Sequence, residues 1–310
     1  MAQLTLLLPE RERLRGAPLP AVLAATLARA DRAQLEPGAS AQLQRHVDNL
    51  PNPPPAAALT RLVDTDVDAT RPFLWLRADP AYVRPDINGV RLLAIGDTLG
   101  VEQTDVDALL PALRPLFGDA GLLLDAPVPG RWYLQLQRGA TLPSFAAPDE
   151  ALGDDLFEHI PAGAEGRRWR SLLSETQVVL HNHPHNAWRQ SVGKPPVNSL
   201  WFWGGGVLPH AVTWTAPTLY SDDPCLLGLA LAGNIQGMPL DQCHGFDDDA
   251  LVDVRALRDP HRIIGDWLQP AASAAAGKDL CLDFADGAVF RLAASQRWRF
   301  WRRPLASLAG

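Results

Sequence analysis

Between His181 and Gly206 the chain reads HNHPHNAWRQSVGKPPVNSLWFWGGG, an order of residues that leaves few ways to fold. The stretch from Gly166 to about His181 has helical periodicity, with Trp169, Leu172, Leu173, Thr176 and Leu180 on one face. That helix cannot pass through Pro184 unbroken. Leu200 to Trp203 is then an apolar strand with Trp201 and Trp203 on the same face, and Gly204-Gly205-Gly206 lets the backbone turn or approach a neighbour closely. A helix feeding such a strand asks for a mixed α/β fold.

The rest of the chain repeats the mixture. Leu4 to Leu8 is a short apolar run ended by Pro9, as a buried strand would be. Pro20 to Ala30 and Ala41 to Val47 read as helices, and Pro51 to Pro55 breaks the chain before a third helix through Leu62. From Pro72 the pattern turns strand-like, at Phe73 to Leu76, Arg91 to Ile95, Gly121 to Leu124 and Arg131 to Leu136. One amphipathic helix interrupts it, Thr104 to Phe117, with Thr104 and Asp107 as its capping pair. Residues 72–138 therefore read as a compact α+β unit. Further on, Asp222 to Ala232 is a helix stopped at Gly233, Ala271 to Gly277 a loop, and Lys278 to Ala294 a hairpin about Ala285-Asp286-Gly287. Arg297 to Arg303 reads as an amphipathic closing helix with solvated arginines.

Charge and composition remove several function classes. Lys and Arg total 28 against 35 Asp and Glu, a net charge of −7 over 310 residues, which disfavours general nucleic-acid or anionic-membrane binding. Cys225, Cys243 and Cys281 are far apart and suggest neither a disulfide framework nor a zinc ribbon. No apolar window is long enough for a membrane span, and the first apolar run is too short for a signal peptide, so a cytoplasmic protein is expected.

Within the central segment, His181, His183 and His185 alternate without an Asp or Glu among them, so no metal site is assigned. GxGxxG and GxxxxGK are absent, which argues against a nucleotide cofactor. The expected ligand-binding set is His183, Asn186, Arg189, Lys194, Asn198, Trp201, Trp203, Gly204 and Gly206. Arg189 and Lys194 would hold a carboxylate or phosphate, the tryptophans would wall the pocket, and the glycines would let backbone N–H groups reach an anion. The same residues also fit a purely architectural role, with Asn198 satisfying backbone groups, His183-Pro184 capping a helix and the glycines permitting close packing.

The pattern His183-Pro184-x-Asn186-x-x-Arg189, Gly193-Lys194-x-Pro196-Val197-Asn198 and Trp201-x-Trp203-Gly204-x-Gly206 resembles the archaeal-type, cofactor-independent phosphoglycerate mutases of the alkaline-phosphatase superfamily. The resemblance covers about residues 72–240. Over nearly the whole chain, Arg77-Ala78-Asp79-Pro80, Arg131-Trp132-Tyr133-Leu134, Glu175-x-Gln177 and Asn198 to Gly206 also resemble a bacterial, phosphoglycerate mutase-related family of RpfE-type regulatory proteins. It implies an alkaline-phosphatase-like α/β core formed by 1–71 and 139–310, with 72–138 as an inserted α+β subdomain. The mutases hold two metal ions through an Asp-Gly-x-Gly-Asp after the first strand and through C-terminal Asp and His residues. Here Pro9-Glu10-Arg11-Glu12 follows the first strand, and no histidine follows His261.

Three functions stay open at this level. The first is a regulatory or ligand-sensing protein that takes a small phosphorylated or carboxylated metabolite or a protein partner. The second is a phosphohydrolase or mutase with relocated ligands from His181, His183, His185, His210, His244, Asp222, Asp223, Asp247 and Asp248. The third is a structural or interaction protein.

Overall fold

The computed structural model describes residues 3–87, 89–246, 249–274 and 279–308. In chain order it contains β1 (Gln3–Leu8), α1 (Ala21–Ala28), β2 (Asp31–Gln34), α2 (Ala39–Gln44), β3 (Val47–Leu50), α3 (Ala56–Asp64), α4 (Val67–Thr70), β4 (Phe73–Asp86), β5 (Gly89–Ile95) and α5 (Gln103–Asp119). Then come β6 (Leu123–Val128), β7 (Arg131–Gln137), α6 (Pro148–Ala151), α7 (Gly163–His181), α8 (Pro184–Ser191), β8 (Ser199–Gly206), β9 (Ala211–Trp214) and β10 (Thr218–Tyr220). The last are α9 (Pro224–Ala232), β11 (Gln236–Met238), β12 (Ala250–Asp253), α10 (Pro260–Arg262), α11 (Gln269–Ala274), β13 (Asp279–Phe284) and β14 (Ala288–Leu292). The fold is mixed α/β, as expected. It divides into two units, one of Met1–Pro54 with Pro209–Gly310 and one of Pro55–Leu208.

The first unit is built on a seven-stranded sheet in the order β11-β10-β12-β1-β13-β14-β2. Strands β11, β10, β12, β1 and β13 run parallel, and β14 and β2 continue antiparallel. The unbroken apolar run of β1 follows from its central place, because a parallel strand covered on both faces has no polar side. Leu4, Leu6 and Leu8 enter one core with Leu23, Leu27, Val252 and Phe284, while Leu7 enters another with Leu219, Leu226 and Leu251. Each such leucine contributes roughly 1.5–3 kcal/mol by leaving water.

Several local expectations shift. The helix expected to reach Val47 stops at Gln44, and Val47 opens β3, which pairs antiparallel with β9 from Val47↔Trp214 to Leu50↔Ala211. Burial alternates along β3, with Val47 and Asn49 inward, which is a strand period. The hairpin of β13 and β14 turns at Ala285–Gly287 as expected. Helix α11 takes up the start of the expected 271–277 loop, while Ala275, Ala276, Gly277 and Lys278 lie outside the described residues. The expected closing helix is instead a short 3₁₀ turn, Ala294–Trp298, after which no helix forms among the described residues. Trp298, Phe300 and Trp301 are largely exposed there.

The second unit is larger than the 72–138 segment expected as an insertion. Its sheet is organised by the long strand β4, which pairs antiparallel with β7, β5 and β8. Because β8 runs beside β4 from Ala81↔Ser199 to Arg77↔Trp203, the sheet cannot close without residues near 200. The same core takes Leu109 and Leu113 from α5 and Trp169, Leu172 and Leu173 from α7. The boundary before it falls in the Pro51–Pro55 run. Helix α5 starts earlier than Thr104. Its N-cap is Glu102, whose N–H donates to the Asp105 carboxylate at 2.8 Å, so Asp105 and not Asp107 is the capping acid.

Candidate functional site

The central motif is brought together in the second unit, largely as a packed polar framework. Helix α7 ends at His181, and His183 caps α8 by accepting the His185 N–H on Nδ1 at 3.3 Å. Arg189, on α8, is completely buried. Its Nη1 donates to the Asp105 carboxylate, its Nη2 to the Leu99 carbonyl at 2.7 Å and its Nε to the Pro195 carbonyl at 2.9 Å. Asp105 also bonds His185 Nε2 at 2.6 Å. Burial alone would push the Asp105 carboxyl up, but the bonds from the Glu102 N–H, His185 and Arg189 together hold it below the usual range. Arg189 is thus corrected from a ligand group to an internal one, since the carboxylate it holds belongs to α5.

The asparagines are corrected in the same way. Asn186 donates to the Leu180 and Val197 carbonyls at 2.7 and 2.8 Å and accepts the Val197 N–H at 2.9 Å. Asn198 accepts the Val83 N–H at 2.9 Å and donates to the Val83 carbonyl at 2.8 Å, adding one side-chain rung to the β4–β8 ladder. Lys194 is spent on an exposed pair with Glu102 at 2.5 Å. Replacing Asn198 by Ala is expected to cost about 1–3 kcal/mol, because both Val83 backbone groups lose their partner. Lys194→Ala is expected to cost less than about 1 kcal/mol, as exposed pairs do. Urea unfolding of the two variants checks this ordering.

Trp201 and Trp203 hold the sheet to its surroundings. Trp201 donates to the Ala146 carbonyl at 3.1 Å, and Trp203 donates to Asp79 at 2.7 Å. Asp79 also pairs with Arg77 at 2.8 Å, so Arg77-Ala78-Asp79-Pro80 and the tryptophan strand serve one buried network. The Arg77 guanidinium lies 5.3 and 5.2 Å from the rings of Tyr133 and Trp203, and that of Arg61 lies 4.5 Å from Trp75. Gly204 has φ +66°, and a Cβ there would sit 2.9 Å from the Ala56 Cβ at the start of α3. A Cβ at Gly206 would lie 2.6 Å from the Pro55 ring. These glycines admit α3, and not an anion, to the end of β8.

Beside this framework a cleft of about 810 Å³ opens between the second half of β4, the end of α7 and the start of α8. Of the expected set only His183, Asn186 and Asn198 reach it, and both asparagines have their amides engaged. Arg84, His181 and Gln190 add to its polar lining, together with Tyr82, Ser174, Gln177 and Asn182, among Val83, Pro85, Pro184 and Pro196. Burial, and then the neighbouring His185, lower the His183 pKa, so at neutral pH it presents a neutral imidazole to the cleft. Lys194, Trp201, Trp203, Gly204 and Gly206 do not line this cleft.

A second polar cluster, which the motif reading missed, lies in the first unit where its parallel strands end. Asp253 closes β12 and Asp283 stands next to last in β13. Arg45 holds Asp283 by two bonds of 2.9 and 2.6 Å, and His46 Nε2 adds a third contact at 2.7 Å. Arg255 holds Asp253 in the same bidentate manner at 2.7 and 2.9 Å, and Ser221 reaches Asp253 at 3.3 Å. Burial pushes the Asp283 carboxyl up, but Arg45 and His46 outweigh it and leave it low. Asp223 caps α9 through the Cys225 N–H, and burial, aided by the charge of Asp253, raises its pKa. The signal that could have found this cluster is an Asp at the end of each apolar run, Ala250-Leu251-Val252-Asp253 and Leu280-Cys281-Leu282-Asp283.

The carboxyl end of a parallel sheet is where α/β folds place ligands, and where the mutase resemblance implies two metal ions. These residues do not fit that pair of ions. The two buried carboxylates are each clasped by a guanidinium fork, and a cation would have to displace it. Among the described residues no three His, Cys, Asp or Glu side chains are placed to hold a metal. Among the described residues, the proposed relocated ligands do not form a metal-binding group either. His181 lines the cleft of the second unit, Asp222 accepts the Leu240 N–H in the first, and Asp247 and Asp248 lie outside the described residues.

No protein-family model matches the chain. A segment of 67 residues, 22% of the chain, is 37% identical to a probable 2,3-bisphosphoglycerate-independent phosphoglycerate mutase of Geobacter sulfurreducens and spans 17% of that enzyme's length. The cofactor-independent phosphoglycerate mutase of Thermoplasma acidophilum aligns over 94% of this chain and 90% of its own at 18% identity, with a TM-score of 0.46. The PH0037 protein of Pyrococcus horikoshii aligns over 98% of this chain and 90% of its own, at 12% identity and a TM-score of 0.54. The chain thus shares its fold with that archaeal protein, and one short segment with phosphoglycerate mutases.

Proposed function

We propose that this chain is a regulatory, ligand-sensing protein on a phosphoglycerate mutase-like scaffold that has given up two-metal phosphoryl transfer. One observation carries the reading: the acids at the carboxyl end of the parallel sheet, Asp253 and Asp283, are neutralised by Arg255 and Arg45, where metal chemistry would need them open. Pro9-Glu10-Arg11 after β1 supports it, since no Asp-Gly stands there. The sensing site is the cleft of the second unit. Arg84 meets the carboxylate or phosphate of a small metabolite, His183 donates from Nε2 because its Nδ1 accepts the His185 N–H, and the prolines and valines form the apolar walls.

The test has two arms. Thermal melting of the full chain with 3-phosphoglycerate, phosphoenolpyruvate and a panel of phosphorylated and carboxylated metabolites is expected to give a stabilising hit that Arg84→Ala and His183→Ala abolish. A panel without any hit overturns the sensing role. Separately, turnover of phosphoglycerate or of a phosphate ester with added Mn²⁺, together with stoichiometric metal in the purified protein, overturns the loss of catalysis.

A further inference from the structure

Strand β2 lies at one edge of the large sheet, next to the residues that follow β14. Arg299 donates to the Arg29 carbonyl at 3.0 Å and to Asp31 at 2.5 Å, and Arg302 reaches the Ala30 carbonyl at 3.4 Å. This lacing brings Arg302 and Arg303 to a hollow of about 610 Å³ that Arg32, Asp31 and Ala28 also line. Cross-strand pairing fixes Arg32. It stands opposite Phe290 in the β14 ladder, and its guanidinium lies 5.2 Å from the centre of that ring.

The charge balance of this hollow is uneven. Asp31 is the one acid in its lining, and Arg299 already satisfies it from outside. Among the described residues, Arg32, Arg302 and Arg303 have no carboxylate within ion-pair distance. Arg32, Arg302 and Arg303 line the one hollow, and burial, then the charges of Arg302 and Arg11, lower the Arg32 pKa. A chain of net charge −7 has acids in excess, yet among the described residues Asp31 alone of them lines this hollow, against three arginines.

We propose that Arg32, Arg302 and Arg303 form a binding site for a multiply charged anion of phosphate type. A guanidinium presents paired N–H groups that match phosphate oxygens, and three converging on one hollow suit an anion of charge −2 or more. A second hollow of about 290 Å³ shares Arg32 and is lined by Phe290, Leu305 and Leu308 beside Arg11 and Gln34, so the anion can carry an apolar portion. The phosphate group belongs either to a soluble compound or to a lipid headgroup, since Phe300 and Trp301 stand exposed on the same C-terminal segment. The site lies in the first unit and does not depend on the cleft proposed for sensing.

The probe is pyrophosphate, titrated calorimetrically into the full chain and compared with sodium chloride of equal ionic strength. Binding is expected to weaken at least tenfold in the double variant Arg32→Gln/Arg303→Gln and to stay unchanged in Arg114→Gln, an exposed arginine of α5. Arg303 makes no hydrogen bond to the fold among those described, so Arg303→Gln alone serves if the double variant unfolds, with a loss of threefold or more. Co-sedimentation with phosphatidic acid vesicles, competed by pyrophosphate, identifies the headgroup source; pyrophosphate binding without sedimentation identifies the soluble one. No binding above the chloride control, or equal affinity in wild type and both arginine variants, overturns the proposal.

Discussion

Arg189→Ala should lower the free energy of unfolding by about 3–5 kcal/mol, the cost of leaving a buried carboxylate without its partner. The variant strands Asp105, which keeps only His185 and the Glu102 N–H, and it frees the Leu99 and Pro195 carbonyls. Those groups join α5, α8 and the loop before β8, so the loss is expected to be cooperative across the second unit. Adding Asp105→Ala should cost much less than the sum of the two single changes, because the second removes the charge that the first exposed. Urea unfolding of the four proteins gives the cycle. A ligand arginine on a surface would behave otherwise, with stability near wild type. An Arg189→Ala protein of native stability would contradict the internal role assigned here.

Asp283→Ala should be the matching event in the first unit, with a loss of about 3 kcal/mol at neutral pH from the unpaired Arg45 and His46. Its pH dependence distinguishes it from simple loss of packing. The Asp283 carboxyl titrates below its usual value of about 3.9, so its contribution is complete above that pH and disappears as pH falls through the lower folded value. The difference between wild type and Asp283→Ala should therefore shrink as pH falls below about 4. A gap that persists unchanged at pH 3 would show that Asp283 acts by filling space and not by its charge.

Local signals carried much of this fold. The apolar run of β1, the Asp223-capped helix α9 and the turn at Ala285–Gly287 are where patterning places them. What could not be read was which distant residue answers each polar one. Arg189 looked like an anion binder because its true partner, Asp105, is 84 positions upstream and reads as an ordinary acid early in a helix. Asn198 and Gly204 fit ligand binding and packing equally well in the sequence, and only their distant neighbours Val83 and Ala56 show the packing contacts they make. The extent of the second unit was illegible for a similar reason. A strand at 199–206 gives no local hint that it will pair with one at 73–86, and that pairing moves the boundary beyond residue 138.

The short ladder of β3 and β9 has a meaning for how such a chain is assembled. It pairs Leu50 with Ala211, so the first unit sends the chain out and takes it back at a single point. The second unit closes on itself in the same manner, with Pro55 packed on Gly206. More than 150 residues thus lie between two strands that pair directly, and a short turn could join 50 to 211 without disturbing a strand of the large sheet. In modular terms the protein is a host with a cassette. Each unit carries its own buried core, so a substitution inside one core is felt first within that unit.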